Sequence, residues 1–229
     1  MEGWDFDPSF SPDGRSIAYR SEHPGDAEIR TVDLGTGEDR ALTDNIDTDW
    51  SPAFSPDGRT IAFATDHGGF TKHVAVMPAD GGATTTLARA VQGEYPSWSP
   101  DGEHITFASQ VGSAYDILAV AADGSGGPEN LTEDPANDFL PAWSPDGSSI
   151  VFQSDRCAKG ERTALSAMDA DGSSVRRLTR GFAEQPTWSP DGRWLVFNSF
   201  DGLAVMDARG GEARPLGVGT GTLPDWTDP

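Results

Sequence analysis

Cysteine is almost missing from this chain of 229 residues: Cys157 stands alone, which excludes an intrachain disulfide and every zinc signature built on cysteine pairs. Lysine is nearly as scarce, with copies at Lys72 and Lys159, and 37 acidic against 16 basic residues leave a formal net charge of −21. Phosphate backbones and anionic lipid surfaces are bound through clustered cations, so a nucleic-acid partner is not expected. No apolar run approaches the roughly 18 residues that a helical span requires, so membrane insertion is not expected either. The first twenty residues hold neither a basic leader nor an apolar stretch of about 7–15 residues. No secretory signal is therefore expected in the chain as it stands, which leaves a cytoplasmic setting, or a periplasmic or extracellular one after removal of a leader. Two catalytic signatures are also missing: the Gly-x-Ser-x-Gly elbow of a serine hydrolase and the Gly-x4-Gly-Lys loop that cradles phosphates.

Glycine, proline and aspartate are plentiful, and they recur at a fixed interval. An aromatic-Ser-Pro-Asp-Gly motif starts at Phe10, Phe54, Trp98, Trp143 and Trp188, with spacings of 44, 44, 45 and 45 residues. A proline stands two places ahead of each aromatic, at Pro8, Pro52, Pro96, Pro141 and Pro186, and a sixth lead-in appears at Pro224, Asp225, Trp226 and Thr227. Each turn is followed by a short alternating strand in which an aliphatic residue and an aromatic lie two apart, as in Ile61 and Phe63 or Ile105 and Phe107. That period places both on one sheet face. A third strand and a fourth, ending at or near Leu-Thr, complete each copy. Four short strands repeated as a meander describe a propeller blade, which buries its two faces only by stacking against neighbours.

The expected fold class is therefore all-β, a β-propeller of four-stranded antiparallel blades. A single domain over 1–229 is expected, with repeats at about 5–48, 49–92, 93–137, 138–182 and 183–220 and a partial lead-in at 221–229. Five blades are expected, the alternative being a fragment of a six- to eight-bladed propeller. Trp98, Trp143 and Trp188 are expected to fill the spaces between blades.

The pattern Pro-x-aromatic-Ser-Pro-Asp-Gly, then Ile-x-Phe, then Met-x-x-Asp-Gly and Leu-Thr, resembles the WD-like repeat of the TolB-type propellers. Similar repeats occur in tricorn-type proteases and in the non-catalytic propellers of prolyl-oligopeptidase relatives. The resemblance covers nearly all of residues 5–229. It implies a periplasmic setting, and a six-bladed ring beside a separate α/β domain; neither that domain nor a full sixth blade fits in this chain. The repeat occurs in proteins of unrelated activity, so fold does not carry function.

In such a meander the start of the first strand and the loop between the second and third strands share one face, opposite the Pro-Asp-Gly turns. The distance from the strand-two aromatic to the end of strand three runs 13, 14, 13, 16 and 9 residues, while the turns hardly vary. Binding residues are expected on that more variable, loop-rich face. Three residues before the lead-in proline stand Asp5, Asp49 and Asp138, with Glu94 and Glu184 one place later in other copies. They suggest an acidic mouth to the channel, able to hold a divalent cation or draw a basic partner, or else aspartates bonded to nearby backbone. Arg156, Lys159 and Arg162 surround Cys157 in the longest loop and could clamp a carboxylate. His23 and His67 share one offset in successive blades and are the candidate metal ligands; oligogalacturonate lyases have similar repeats and use a His-rich metal site, but a third matching histidine is not visible. The function expected is non-catalytic recognition or scaffolding, with a protein segment or small ligand as partner. The alternatives are a metal-assisted lyase or cyclase using the same face and a structural piece of a larger protease-like protein.

Overall fold

The computed structural model describes residues 4–23, 26–66, 69, 71–89, 91–156 and 163–217, with the side chains of His23 and Asp26 left aside. His67, Cys157, Lys159, Arg162, the sixth lead-in at 221–229 and the side chain of His23 lie outside the described residues.

The repeated turn is held by short-range hydrogen bonds. In the first copy the Ser11 hydroxyl donates to Asp13 Oδ1 at 2.7 Å, the Arg15 N–H donates to the same oxygen at 3.0 Å, and Ser11 Oγ accepts the Ser16 N–H at 2.9 Å. The other copies repeat the Ser-to-Asp bond at 2.6, 2.5, 2.6 and 2.6 Å. Gly14 closes the turn at φ 66°, a left-handed conformation that costs glycine little. Led by the serine hydroxyl, these donors hold the carboxyls of Asp13, Asp57, Asp101, Asp146 and Asp191 below the usual carboxylate range.

Among the described residues, these turns and the loops between them connect twenty strands into five antiparallel sheets. Blade 1 holds β1 (Trp4–Phe10), β2 (Ser16–His23), β3 (Asp26–Asp33) and β4 (Asp39–Ala41). Blade 2 holds β5 (Asp49–Phe54), β6 (Thr60–Thr65), β7 (His73–Pro78) and β8 (Thr85–Thr86). Blade 3 holds β9 (Glu94–Trp98), β10 (His104–Val111), β11 (Ala114–Ala121) and β12 (Glu129–Asn130). Blade 4 holds β13 (Asp138–Trp143), β14 (Ser149–Ser154), β15 (Ala164–Asp169) and β16 (Arg176–Arg177). Blade 5 holds β17 (Ala183–Trp188), β18 (Trp194–Ser199), β19 (Gly202–Asp207) and β20 (Arg214–Pro215). The described residues contain no helix, and the molecule is a five-bladed propeller with the first strand of every blade innermost.

The core lies between blades. Ala18 and Ile29 of blade 1 pack on Ile61, Phe63, Ala75 and Met77 of blade 2. The same arrangement joins Val74 and Leu87 to Ile105 and Phe107, Ile117 and Leu131 to Ile150 and Phe152, and Leu165 and Leu178 to Leu195 and Phe197. Trp98, Trp143 and Trp188 close the last three of these clusters as expected, Phe54 borders the first, and each indole reaches into the blade before it. Trp98 Nε1 donates to the Ala53 carbonyl, Trp143 Nε1 to Thr106 Oγ1, and Trp188 Nε1 to the Ala142 carbonyl, all at 3.0 Å. Each indole therefore buries its ring while satisfying its one donor.

Candidate functional site

The lead-in proline cannot donate to a sheet ladder, and every inner strand breaks register around it. The shifts fall between Phe6 and Ser9, Trp50 and Ala53, Phe139 and Ala142, and Glu184 and Thr187, and between the β10 partners Thr106 and Ala108 opposite β9. Within each bulge the residue before the proline takes a left-handed conformation: Asp7 at φ 53°, Ser51 at 50°, Tyr95 at 56°, Leu140 at 53° and Gln185 at 55°. Non-glycine residues pay about 1–2 kcal/mol for this. The backbone is thus the same in five copies, while the side chain differs in every one.

These five residues encircle the central channel and border two chambers. On the Pro-Asp-Gly side a cavity of about 330 Å³ is walled by Pro8, Pro52, Pro96, Pro141, Pro186 and Trp98, among others. On the loop-rich side a cavity of about 230 Å³ is lined by the same five residues with Arg20, Trp50, Ala64, Lys72 and Glu94. The second chamber is ionic. Lys72 Nζ lies 2.9 Å from Glu94 Oε2 and 4.7 Å from the Trp50 ring centroid. Arg20 sits 4.5 Å over the Phe6 ring, with its Nε 3.8 Å from Asp7 Oδ2 and its Nη2 3.4 Å from Glu22 Oε1. Arg20 Nε is buried and makes no hydrogen bond. Burial pushes the Tyr95 phenol up, and the charges of Glu94 and Asp7 push it further. Among the described residues, no histidine or cysteine lines either chamber. The polar groups can orient a ligand that carries charge or hydrogen-bonding groups, and the prolines and Trp98 offer apolar contact.

The residues singled out from sequence are distributed unevenly around this site. Glu94 lines the loop-rich chamber through its pair with Lys72. Glu184 accepts a hydrogen bond from the Thr163 hydroxyl at 3.2 Å. Asp5 is exposed on blade 1. Asp49 and Asp138 are 1% and 0% exposed, and line neither chamber. In blades 2 to 5 the position they share is an enclosed one, unlike that of Asp5 in blade 1: Gly93 occupies it in blade 3, where an added Cβ would come 2.7 Å from Val74 Cγ2, and Ala183 occupies it in blade 5 at 0% exposure. Asp138 is held by Arg156, whose Nη2 donates to Oδ2 at 2.7 Å while Nη1 lies 3.2 Å from Asp134. Burial pushes the Asp138 carboxyl up against the pull of Arg156 and Ser154. Asp49 has no such cation among the described residues, and neither of its oxygens makes a hydrogen bond. Burial pushes it up to about 7, against the pull of the nearby Thr65 and Thr43 hydroxyls.

Among the described residues, one cluster brings three possible ligand atoms within 4.8 Å, namely Asp101, Glu103 and His104, all exposed at the third Pro-Asp-Gly turn. The Asp101 carboxylate there already accepts the Ser99 hydroxyl and the Glu103 N–H.

The description "TolB beta propeller domain" matches residues 1–129 and 91–221. A protein provisionally called TolB from Agrobacterium tumefaciens is similar at 26% identity and a TM-score of 0.81, over 93% of this chain and 80% of that one. TolB from Acinetobacter baumannii is similar at 22% identity and a TM-score of 0.75, over 87% of this chain and 52% of that one. An oligogalacturonate lyase from Vibrio parahaemolyticus shares the fold at 16% identity and a TM-score of 0.64, over 89% of this chain and 61% of that one. No curated protein matches the chain. No helix among the described residues is long and apolar enough to cross a membrane. With the repeat, the five blades and the family match in agreement, the chain belongs to the TolB β-propeller domain family.

Proposed function

We propose that this chain is a non-catalytic recognition propeller whose ligand, a protein segment or a small molecule, enters the central channel from the loop-rich face and is read by Asp7, Ser51, Tyr95, Leu140 and Gln185. One observation carries the reading: five different side chains sit on the same strained backbone, in a sequence context that otherwise repeats closely. Strain kept at a cavity wall is a mark of use. A purely structural bulge would be filled by glycine, which adopts the conformation at little cost. Lys72, Glu94 and Arg20 supply the polar contacts of the chamber, with Glu184 and Arg156 as outer contacts on the same face. Family membership supports a binding or scaffold role, and it also supports a periplasmic setting, which cell fractionation checks.

The test is a selection of binding peptides from a random library on the immobilised protein, followed by measurement of each binder against Tyr95→Ala and Lys72→Ala. Binding through the channel weakens at least about tenfold with both variants while the far-ultraviolet circular dichroism stays unchanged. Binders that keep their affinity for both variants would place recognition elsewhere and overturn the reading.

A further inference from the structure

The chamber on the loop-rich side extends over blade 2, where two small residues meet. In blade 1 the β2 residue opposite Phe6 is Arg20, whose Nε lies 3.8 Å from Asp7 Oδ2, and in blade 5 the β18 residue opposite Glu184 is Asn198, whose amide donates to Gln185 Oε1. In blade 2 the bulge holds Ser51 and the residue opposite Trp50 is Ala64, so no long side chain crosses from one to the other, and both line the cavity of about 230 Å³. Two cations line the same cavity, Arg20 from blade 1 and Lys72 from the residue ahead of β7. Each is fixed over an aromatic ring at the same place in successive blades. Arg20 stands 4.5 Å over Phe6 and Lys72 4.7 Å over Trp50, and both rings come two residues before the lead-in proline.

The bonding capacity left in this chamber lies with its donors. Arg20 Nε is buried and makes no hydrogen bond, and the ion pairs of this guanidinium are loose, at 3.8 Å to Asp7 and 3.4 Å to Glu22. A fully made charge-assisted bond measures about 2.7–2.9 Å, the length found between Arg156 and Asp138. The Lys72 ammonium carries three N–H groups and gives one to Glu94 at 2.9 Å. The acids of the chamber already have donors, Glu94 in Lys72 and Asp7 in the Ser51 hydroxyl at 3.4 Å. We propose that this chamber binds a carboxylate of the ligand, held by Arg20 and Lys72 above Ser51 and Ala64. The proposal rests on the channel being the binding site, and it names the group that is read there, the carboxylate of a chain terminus or of an acidic side chain. A cationic ligand would meet two like charges and compete with Lys72 for Glu94, whereas a carboxylate meets donors without breaking a bond. The net charge of −21 does not forbid this. Charges in water are screened over about 8 Å at physiological ionic strength, and partly buried ones at close range much less, so the two local cations decide.

The experiment is a nuclear magnetic resonance titration of the nitrogen-15-labelled full chain, following the arginine side-chain Nε–H signals, with that of Arg20 identified by its loss in Arg20→Lys. Three probes are compared: N-acetylglycine for a chain terminus, N-acetylaspartic acid N-methylamide for an acidic side chain, and N-acetylglycine N-methylamide as the uncharged control. The Arg20 signal moves saturably with at least one acid, which identifies the source, and that acid binds at least about tenfold more tightly than the control. Lys72→Gln weakens the acid. Glu94→Gln, which removes the acceptor competing for Lys72, tightens it severalfold, an effect that mere disturbance of the fold would not produce, and the backbone amide spectrum shows that each variant is folded. An Arg20 signal that ignores both acids, or answers the control equally, would overturn the proposal, as would weaker binding to Glu94→Gln. Selected peptides that depend on Tyr95 and Lys72 but bind equally well with every carboxylate amidated would overturn this proposal alone and leave the channel as the binding site.

Discussion

Arg156 Nη2 donates to Asp138 Oδ2 at 2.7 Å, and this guanidinium is the cation that neutralises a fully buried carboxylate at the start of an inner strand. Removing one partner of a buried pair strands the other. Arg156→Ala is expected to destabilise the protein by about 3–5 kcal/mol in urea unfolding, and adding Asp138→Asn to that variant is expected to recover most of the loss. Equal destabilisation by the single and double variants would show that the guanidinium acts through packing alone.

Asp49 occupies the same place in blade 2, without a comparable cation among the described residues. Its folded pKa of about 7 lies above the unfolded value near 4, so within that window the native state holds the extra proton. Its contribution therefore falls as pH rises from about 4 to about 7 and returns on acidification. Asp49→Asn is expected to stabilise the protein by about 1–3 kcal/mol at pH 8 and to have little effect at pH 4, measured by denaturant titration at both values.

Trp188 bonds across a blade boundary through its one polar atom. Trp188→Phe keeps an aromatic there but leaves the Ala142 carbonyl without that donor and the site underfilled. A loss of about 1–3 kcal/mol is expected, read as a shift of the urea midpoint with an unchanged slope.

At Leu140 the cost of losing a side chain and the gain of relieving a left-handed backbone oppose each other. Leu140→Gly is expected to change stability by less than about 1 kcal/mol. Leu118→Gly, at a residue 3% exposed in an ordinary strand, is expected to lose at least about 3 kcal/mol. Similar losses at the two positions would argue against strain at the ring.

The fold was legible because the repeat is written in local chemistry. Ser11, Asp13 and Gly14 make a turn from bonds spanning a few residues, and five copies of such a turn are visible without knowledge of anything distant. The channel ring was harder to see because it is marked by difference. Asp7, Ser51, Tyr95, Leu140 and Gln185 share no property except standing before the repeated proline, and a motif search passes over them. The aspartates three places before the proline looked like a channel mouth because acids usually face water, whereas Gly93 and Ala183 at that position were the sign of a confined space. Spacing carried a further clue. Asp138 and Arg156 lie 18 residues apart, as do Asp49 and His67, and Asp5 and His23, while Gly93 and Ala183 meet Val111 and Asp201 at that distance. An acid in the repeat thus travels with a basic side chain, although His67 and the His23 side chain lie outside the described residues.

The bulge before each proline has a consequence for how such a protein can change. The strand breaks register there in every blade with a different residue in the bulge each time, so the neighbouring ladder does not depend on one residue type at position 7, 51, 95, 140 or 185. The backbone of the pore wall thereby tolerates a change of letter, like movable type in a fixed frame, although Gln185, bonded to Asn198, and Tyr95, packed on the core between blades 3 and 4, are tied to what surrounds them.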